Sequence, residues 1–205
     1  MNKKKGLFIS FEGPEASGKS SQILLLQKYL KKNNISFITT REPGGTKLAE
    51  SLRTLILKIK SDINIEEEIL MLMAARSHHI NNVIKPAIEK GFLVISDRFA
   101  DSTFVYQGYV NNFGIQKAKN LHKSILRNFL PHKTFLFNLS KSKIIARIKT
   151  RKSKNKYDKL ERQFHDKVKK GYELISKSNR FIKIDASKSI EIIHKKIITN
   201  INSLI

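Results

Sequence analysis

The stretch "GPEASGKS" at residues 13–20 decides the fold of this chain. It satisfies the pattern G-x-x-x-x-G-K-[ST], with the strand-like segment "GLFISFEG" before it and the helical pattern "KSSQILLLQKYLKKNN" after it. Gly13 and Gly18 let successive N–H groups point inward at a phosphate, and the helix N-terminus adds partial positive charge. Lys19 is then expected to reach the β- and γ-phosphates, and the Ser20 hydroxyl to ligate Mg²⁺. The sequence therefore predicts a site for ATP or GTP.

Further strands and helices alternate along the rest of the chain. Four apolar segments have the length of strands, "ISFITT", "FLVIS", "KTFLFNL" and "RFIKID", and helical patterns separate them. Such alternation is typical of an α/β fold with a parallel sheet covered by helices on both faces. We find no internal repeat and no linker, so a single domain over residues 1–205 is expected.

Composition excludes several classes of protein. The chain has 205 residues, 40% of them hydrophobic and 28% charged, which is typical of a globular domain. It contains no cysteine, so a disulfide framework and a thiolate metal site are excluded. No apolar run approaches the roughly 20 residues of a membrane helix. The lack of cysteine agrees with a reducing cytosol, and we expect a cytoplasmic protein. The net charge of +23 attracts anionic partners, either nucleotides or nucleic acid, but also fits a compositional bias towards lysine throughout the chain.

The segment "TRKSKNKYDKLE" at residues 150–161 raises the question of a GTPase. It contains Asn155-Lys156-x-Asp158, the spacing with which GTPases hold guanine. A GTPase also needs a D-x-x-G motif to sense the γ-phosphate, and none of the aspartates begins one. The residues before Asn155 are charged and do not form a buried strand. A basic arm for nucleic acid and a cationic flap over phosphates therefore remain the alternatives for this segment.

A second group of polar residues has the composition of a phosphate-acceptor site. Asp97 follows the strand "FLVIS", where Mg²⁺ would lie, and Arg98 offers a planar fork to a phosphate. If "ADSTFVYQG" begins a helix, the hydroxyl and amide groups able to read a base edge lie within about one and a half turns; they belong to Ser102, Thr103, Tyr106 and Gln107. A surface ion pair and an ordinary helix surface are the alternatives.

Further charged residues complete this group: Arg41, Glu42, Arg53 and Arg76. Arg76 lies within the apolar stretch "ILMLMAARSHH" and should have an anionic partner there, or else extend its charged end to solvent. Adjacent residues on a helix face different directions, so His78 and His79 do not make a metal pair, and we expect both to be partly exposed.

The motifs together resemble the thymidylate kinase family of bacterial type. The segments "FEGPEASGKSSQ", "TREPGGT", "AAR" at 74–76, "DRFADSTFVYQG" and "FHDKVKKGYELI" occur in that family's order, and the resemblance covers nearly the whole chain. It implies transfer of a phosphoryl group from ATP to dTMP with Mg²⁺, in dTDP synthesis. It also implies a P-loop nucleoside-monophosphate-kinase fold with a five-stranded parallel sheet, and a homodimer.

The resemblance implies roles for individual residues. The ATP side would comprise Gly13, Pro14, Glu15, Ala16, Ser17, Gly18, Lys19, Ser20, Ser21 and, by a weaker match near the C-terminus, Arg180. The dTMP side would comprise Glu15, Glu42, Arg53, Leu72, Arg76, Arg98, Ser102, Thr103, Tyr106 and Gln107. In this interpretation Arg53, Arg76 and Arg98 gather on the dTMP phosphate. Thr103 and Gln107 contact the thymine edge, and Tyr106 favours deoxyribose. Ser20 and Asp97 would hold the metal, while Lys19 and Arg98 would act on the transferring phosphoryl group.

The chain departs from the family in two places. The family usually has an aromatic residue where Leu72 stands, so aromatic stacking on the base is missing here. In the lid region, about 149–160, the family's common D-R-x-E motif is replaced by Asn-Lys-Tyr-Asp, so Lys156 stands where an arginine is usual, and Arg151 is the other candidate for a catalytic cation. A nucleic-acid-binding P-loop ATPase remains the alternative from a different functional class.

Overall fold

A computed structural model of the chain describes residues 6–58, 63–149 and 162–205. Five strands in this part form one parallel sheet in the order β2-β3-β1-β4-β5. They are β1 (Leu7–Glu12), β2 (Phe37–Arg41), β3 (Leu93–Asp97), β4 (Lys133–Asn138) and β5 (Phe181–Asp185). The predicted fold is confirmed, and the carboxyl ends of all five strands meet at one edge of the sheet.

Helices connect the strands. They are α1 (Lys19–Lys32), α2 (Lys47–Lys58), α3 (Ile65–His79), α4 (Lys85–Glu89), α5 (Ala100–Thr103), α6 (Ile115–Leu126), α7 (Lys141–Lys149), α8 (Arg162–Ile175) and α9 (Ile190–Asn202). Two π-helical segments continue helices: Ile80–Ile84 joins α3 to α4, and Phe104–Val110 extends α5. No helix of the described residues is long and apolar enough to cross a membrane.

The sheet separates two hydrophobic cores. Phe8, Val94 and Leu136 point to one face, where they pack with residues of α3, α6, α8 and the two π-helical segments. Ile9 and Ile95 point to the other face, where α1 and α9 cover them. This alternation is the period of two that a strand imposes on its side chains, and it places helices on both faces as predicted.

The helical stretch that runs from α3 to α4 has ends that match its sequence. Asn64 accepts a hydrogen bond from the backbone N–H of Glu67, whose side chain in turn accepts from the N–H of Asn64, which forms a capping box. The helix is disturbed near Pro86, since the π-helical segment ends just before α4, in which Pro86 occupies the first turn. Gly91 then ends the helical stretch with a φ of +82°.

Candidate active site

A cleft of about 800 Å³ opens at the carboxyl edge of the sheet. Its lining includes the loop after β1, the segment after β2, the start of α5 with its π-helical extension, and parts of α3, α7 and α9. This is where parallel α/β sheets bind ligands, because the loops on either side of the central strand diverge there. The cleft has a phosphate-loop end and an acceptor end, which meet at Arg98.

The phosphate loop has the backbone that its glycines predict. Gly13 has a φ of +133°, and a side chain there would collide with the backbone carbonyl of Phe137. Gly18, with a φ of +94°, immediately precedes α1. The Lys19 ammonium group donates to the carbonyl oxygens of Gly13 at 3.0 Å and Pro14 at 2.8 Å. Lys19 is thus held beside the loop whose N–H groups would receive the phosphates.

Burial changes the titration of Lys19. Removal from water lowers its pKa to about 8, and the positive charge of Arg98 lowers it further, whereas Asp97 and Glu15 oppose the shift. An anionic phosphate in the loop would favour the charged form in the same way as these carboxylates do. The site therefore has cationic charge that a bound phosphate would stabilise.

Arg98 is the residue that joins the two ends of the cleft. Its guanidinium donates to Glu15 at 2.9 Å, to Ser102 at 2.9 Å and to the Tyr172 hydroxyl at 3.2 Å. It also lies over the ring of Tyr106, 5.1 Å from the ring centroid. Burial alone would lower the pKa of Arg98, but Tyr106 and Glu15 raise it well above its ordinary value, so the group stays charged. The alternative of a surface ion pair with Asp97 does not describe this arrangement.

Glu12 is a site residue that the sequence reasoning missed. Its fully buried carboxylate accepts from the Phe99 backbone N–H at 2.7 Å, from Ser102 at 2.7 Å and from the Tyr172 hydroxyl at 2.8 Å. Burial, and next the negative charge of Asp101, raise its pKa to about 7. The sequence did contain a signal for Glu12, since it is an acidic residue at the end of a buried strand. Such a residue needs hydrogen-bond partners from elsewhere in the chain. Tyr172, from α8, was missed as well.

A buried charged network lies at the acceptor end. The Arg76 guanidinium donates to Glu42 at 2.7 Å and to the Thr103 hydroxyl at 2.8 Å, so the anionic partner expected for Arg76 is Glu42. Burial would raise the pKa of Glu42, but Arg76 and His79 together lower it. These groups hold the segment after β2 against α3.

The prediction that both histidines are partly exposed is wrong for His79. His79 is fully buried, with one ring nitrogen 2.9 Å from Glu42 and the other 2.7 Å from Thr40. The prediction holds for His78, which is half-buried and lies 3.1 Å from the Thr46 hydroxyl. Helical spacing placed the two histidines on different faces, but it could not show that β2 covers one of them.

Two polar contacts connect α3 with the 100–110 segment on either side of Leu72. One is the Arg76–Thr103 bond, and the other runs from the Gln107 amide to the Glu68 carboxylate at 2.7 Å. Leu72 lines the cleft between them and is 6% exposed. Gln107 and Tyr106 are also buried, so they are not the ordinary helix surface that was the alternative.

The remaining predicted residues fall into two groups, those that line the cleft and those outside the described part of the chain. Arg53 lines the cleft and donates to the Pro43 carbonyl at 2.9 Å, and Ser21 also lines it. Arg151 and Lys156 lie outside the described residues, as does most of the predicted lid region. Arg147, which sequence reasoning did not single out, lines the cleft and donates to the carbonyls of Ala16 and Ala186, both at 3.2 Å.

The structure places Arg180 apart from the cleft. Arg180 precedes β5, and it donates to both carboxylate oxygens of Asp101 at 2.8 Å and to the Thr134 hydroxyl near the start of β4. It is not one of the residues that line the cleft. Ala186 and Lys188, which follow β5, do line it. β5 has five residues and spans about 17 Å, so residues before and after it lie at opposite ends of the sheet.

Ser20 and Asp97 have the chemistry of a magnesium site. The Ser20 hydroxyl donates a hydrogen bond to a carboxylate oxygen of Asp97 at 3.0 Å. Two oxygen atoms that could serve as metal ligands therefore converge beside the phosphate loop. Mg²⁺ prefers oxygen ligands and is commonly held by one or two protein groups together with substrate phosphates. Within the described ranges no cluster of three or more His, Cys, Asp or Glu could hold a metal. The residues present fit an ion that arrives with a nucleotide.

Comparison with known proteins gives a consistent result. A family model described as Thymidylate kinase matches residues 11–197. A thymidylate kinase of Halothermothrix orenii is 39% identical over 196 residues, which cover 94% of this chain and 95% of that protein. One of Mycoplasma capricolum is 41% identical over 197 residues, which cover 94% and 92%. One of Mesoplasma florum is 42% identical over 190 residues, which cover 90% of each. The residues that the family model matches include the phosphate loop and both ends of the cleft.

Proposed function

This chain belongs to the thymidylate kinase family, and from that premise we propose how its cleft carries out the family's reaction. The enzyme is a nucleoside monophosphate kinase that phosphorylates dTMP to dTDP with ATP as the phosphoryl donor. The observation that supports our assignment of the site is the position of Arg98. Its guanidinium contacts Glu15 of the phosphate loop and Ser102 of the acceptor end at the same time.

ATP is assigned to the phosphate-loop end. The N–H groups of residues 13–21 and the charge of Lys19 would receive its phosphates, because a helix N-terminus and a glycine-rich turn favour anions. The cleft continues beyond the loop to Arg147 and Ala186, which leaves room there for the nucleoside part. Arg180 is not included in this site.

Ser20 and Asp97 would hold Mg²⁺ together with the ATP phosphates. When bound, the ion neutralises negative charge on the phosphates. The support for this assignment is the convergence of the two oxygen donors beside Lys19, described above. Asp97 already holds the Ser20 hydroxyl, so the side chains need little reorientation to face a common ion.

dTMP is assigned to the acceptor end. Its phosphate would lie near Arg98, Arg53 and Arg76, the sugar beside Tyr106 and Glu15, and the base against Leu72 with its edge towards Thr103 and Gln107. Glu42 would act indirectly, because its carboxylate is engaged by Arg76 and His79. The hydrogen bonds of Tyr106 to Glu15, both at 2.9 Å, would fix the phenol ring against the sugar.

Catalysis in this arrangement rests on position and charge. Phosphoryl transfer between two anions needs an aligned acceptor oxygen and cations around the transferring group more than a covalent catalyst. Lys19 on the donor side and Arg98 at the junction would supply these cations. We propose that the lid region supplies a further cation to the phosphates. Its two candidates are Arg151 and Lys156, and one of them is sufficient for this role.

We also propose that the enzyme is a cytoplasmic homodimer. The support for the dimer is the family membership, and the support for the compartment is that ATP, dTMP and the product dTDP serve DNA synthesis. Light scattering of the purified chain at several concentrations would measure its mass directly.

A panel of acceptors tests the proposed function. With ATP and Mg²⁺, we expect ADP release to depend on an added monophosphate and to be fastest with dTMP, slower with dUMP and with the ribose analogue of dTMP, and slowest with dCMP and dGMP. Preference for dCMP or dGMP would contradict the assigned base site. Activity that needs DNA and falls steeply with salt would instead support a nucleic-acid-dependent ATPase.

Replacing Leu72 by phenylalanine tests the position of the base. A leucine covers the base face without aromatic stacking, which contributes roughly 0.5–1.5 kcal/mol in ring pairs. We therefore expect Leu72→Phe to leave the KM for dTMP unchanged or to lower it by up to about tenfold. Steady-state kinetics with dTMP as the varied substrate gives this value. A large rise in KM would show that the base does not lie against Leu72.

A further inference from the structure

Glu68 is a buried acidic residue that the proposed reaction does not use. It lies in the first turns of α3, is 9% exposed, and accepts a hydrogen bond from Nε2 of Gln107 at 2.7 Å. Gln107 lines the cleft and is 4% exposed, whereas Glu68 is not among the lining residues. Glu68 therefore touches the residue assigned to the base edge without reaching the base itself.

The position of this contact on α3 connects it with the base site. Glu68, Leu72 and Arg76 are four residues apart and share one face of the helix. Arg76 bonds Thr103, and Glu68 bonds Gln107, so the two contacts hold the 100–110 segment on either side of the Leu72 side chain. The base site is framed by two polar contacts, and one of them ends at the Gln107 amide.

A carboxylate restricts the way in which a neighbouring amide can face. An ionised glutamate only accepts hydrogen bonds, whereas a glutamine amide has donor protons on Nε2 and an acceptor at Oε1. The Gln107 group that faces Glu68 must then be Nε2. Turning the amide over would set Oε1 against the carboxylate, two acceptors without a proton between them. The amide of Gln107 is thus held with Nε2 towards Glu68, which leaves Oε1 as the acceptor that this cleft-lining residue can offer a ligand.

Pyrimidine bases differ at the atom that such an oxygen would meet. N3 of thymine and of uracil carries a proton, while N3 of neutral cytosine is an acceptor. We propose that Glu68 is a positioning residue that determines base specificity: by holding Nε2 of Gln107, it presents Oε1 to accept from N3–H of the acceptor nucleotide and so disfavours cytosine. This inference rests on the proposed function, because it takes dTMP as the acceptor and Gln107 as a residue at the base edge.

The substitution Glu68→Gln tests the inference with little change in shape. A glutamine at 68 can either accept from Nε2 or donate to Oε1 of Gln107, so the amide of Gln107 is free to turn over and meet cytosine. We expect the ratio of kcat/KM for dTMP to that for dCMP to fall by about tenfold or more, since a buried unpaired polar group is costly. The ratio for dTMP to dUMP should stay unchanged, because both bases carry the N3 proton.

Three further variants separate this role from a structural one. Glu66→Gln makes the same change on an exposed residue of the same helix, and we expect it to keep the wild-type ratios. In a Gln107→Ala background, Glu68→Gln should have no additional effect on the dTMP to dCMP ratio, because Glu68 acts through Gln107. Gln107→Ala alone should lower the ratio by a similar factor, which tests the inference even where Glu68→Gln does not fold.

The outcomes are distinct. Equal loss of kcat/KM with all three nucleotides in Glu68→Gln, at an unchanged ratio, would show a structural role and overturn the inference. An unchanged ratio in Gln107→Ala would overturn it as well. Failure of the proposed function would appear differently, as a wild-type enzyme that does not phosphorylate dTMP. dCMP is also assayed as a competitive inhibitor of dTMP, so that its discrimination is measured where its turnover is too slow.

Discussion

Replacing Arg98 by alanine is expected to lower kcat for dTMP phosphorylation by about 100-fold or more, as loss of one preorganised group at a developing charge commonly does. The guanidinium is held by Glu15, Ser102 and the ring of Tyr106, so it is in place before the reaction begins. Removing it leaves the two phosphates of the reacting pair with one cation fewer between them. Steady-state assays at saturating ATP and dTMP measure kcat for the variant and the wild type.

The backbone supports this role for Arg98. It has a φ of +70°, a left-handed conformation that costs non-glycine residues of order 1–3 kcal/mol and is common at functional sites. Two hydrogen bonds fix it, from the Arg98 N–H to Phe11 at 3.0 Å and from the Ser96 hydroxyl to the Arg98 carbonyl at 2.6 Å. The fold thus holds this residue in an unusual conformation that directs its side chain into the cleft.

Controls distinguish a catalytic Arg98 from a structural one. Arg98→Lys keeps a charge but loses the planar fork, so an intermediate kcat is expected. Arg127→Ala removes an exposed arginine at the end of α6 and should leave kcat unchanged. Thermal unfolding of each variant shows whether the fold is retained. If Arg98→Ala folds and keeps kcat within about threefold of the wild type, far short of the roughly 100-fold loss expected for a group at a developing charge, Arg98 serves only to hold Glu15 in place.

The fold could be predicted from the sequence because its signals are local. A strand of buried residues followed by a glycine-rich turn and a helix is recognisable within about 25 residues, and the strand–helix alternation then specifies a parallel sheet. The acceptor end could also be predicted from the sequence, since its residues lie close together in the chain. Asp97, Arg98, Thr103 and Gln107 fall within one segment of eleven residues. Spacing along one strand end and one helix was enough to bring them together.

The errors and omissions arose where contacts join distant parts of the chain. Burial of His79 depends on Thr40 of β2, and the pairing of Arg180 depends on Asp101, 79 residues earlier. Tyr172 reaches Glu12 across 160 residues. A motif specifies its own residues, but it does not specify which polar groups a later helix brings against it. Those groups become visible only once the strands are in register.

The stability of the enzyme should depend on pH through Glu12. Its pKa is about 7 in the folded protein against an ordinary 4.5, because burial and next the charge of Asp101 disfavour the ionised form. Between these two values the folded state keeps a proton that the unfolded chain has released. The free energy of unfolding therefore falls as pH rises through this window, and a shift of this size corresponds to about 3 kcal/mol.

Glu12→Gln isolates this contribution, since glutamine has the acceptor and donor of a protonated glutamic acid but does not titrate. At pH 5 we expect the variant and the wild type to unfold at similar urea concentrations. By pH 8 the variant should be more stable by up to about 3 kcal/mol, the cost of ionising a buried carboxylate. Groups with a lowered pKa, such as Glu42, titrate alike in both proteins and cancel in the difference.

Glu12 is bonded to Ser102, Tyr172 and the Phe99 N–H. Ser102 and Tyr172 also contact Arg98, and Phe99 follows it directly in the chain. An enzyme that keeps a costly carboxylate there uses it to hold the Arg98 segment, so Glu12→Gln should combine higher stability at pH 8 with a lower kcat. Glu89→Gln, an exposed glutamate on α4, provides the control and should follow the wild-type curve. Parallel stability curves for Glu12→Gln and the wild type from pH 5 to 8 would show that Glu12 is ionised throughout, and its hydrogen bonds alone would then offset the cost of burial.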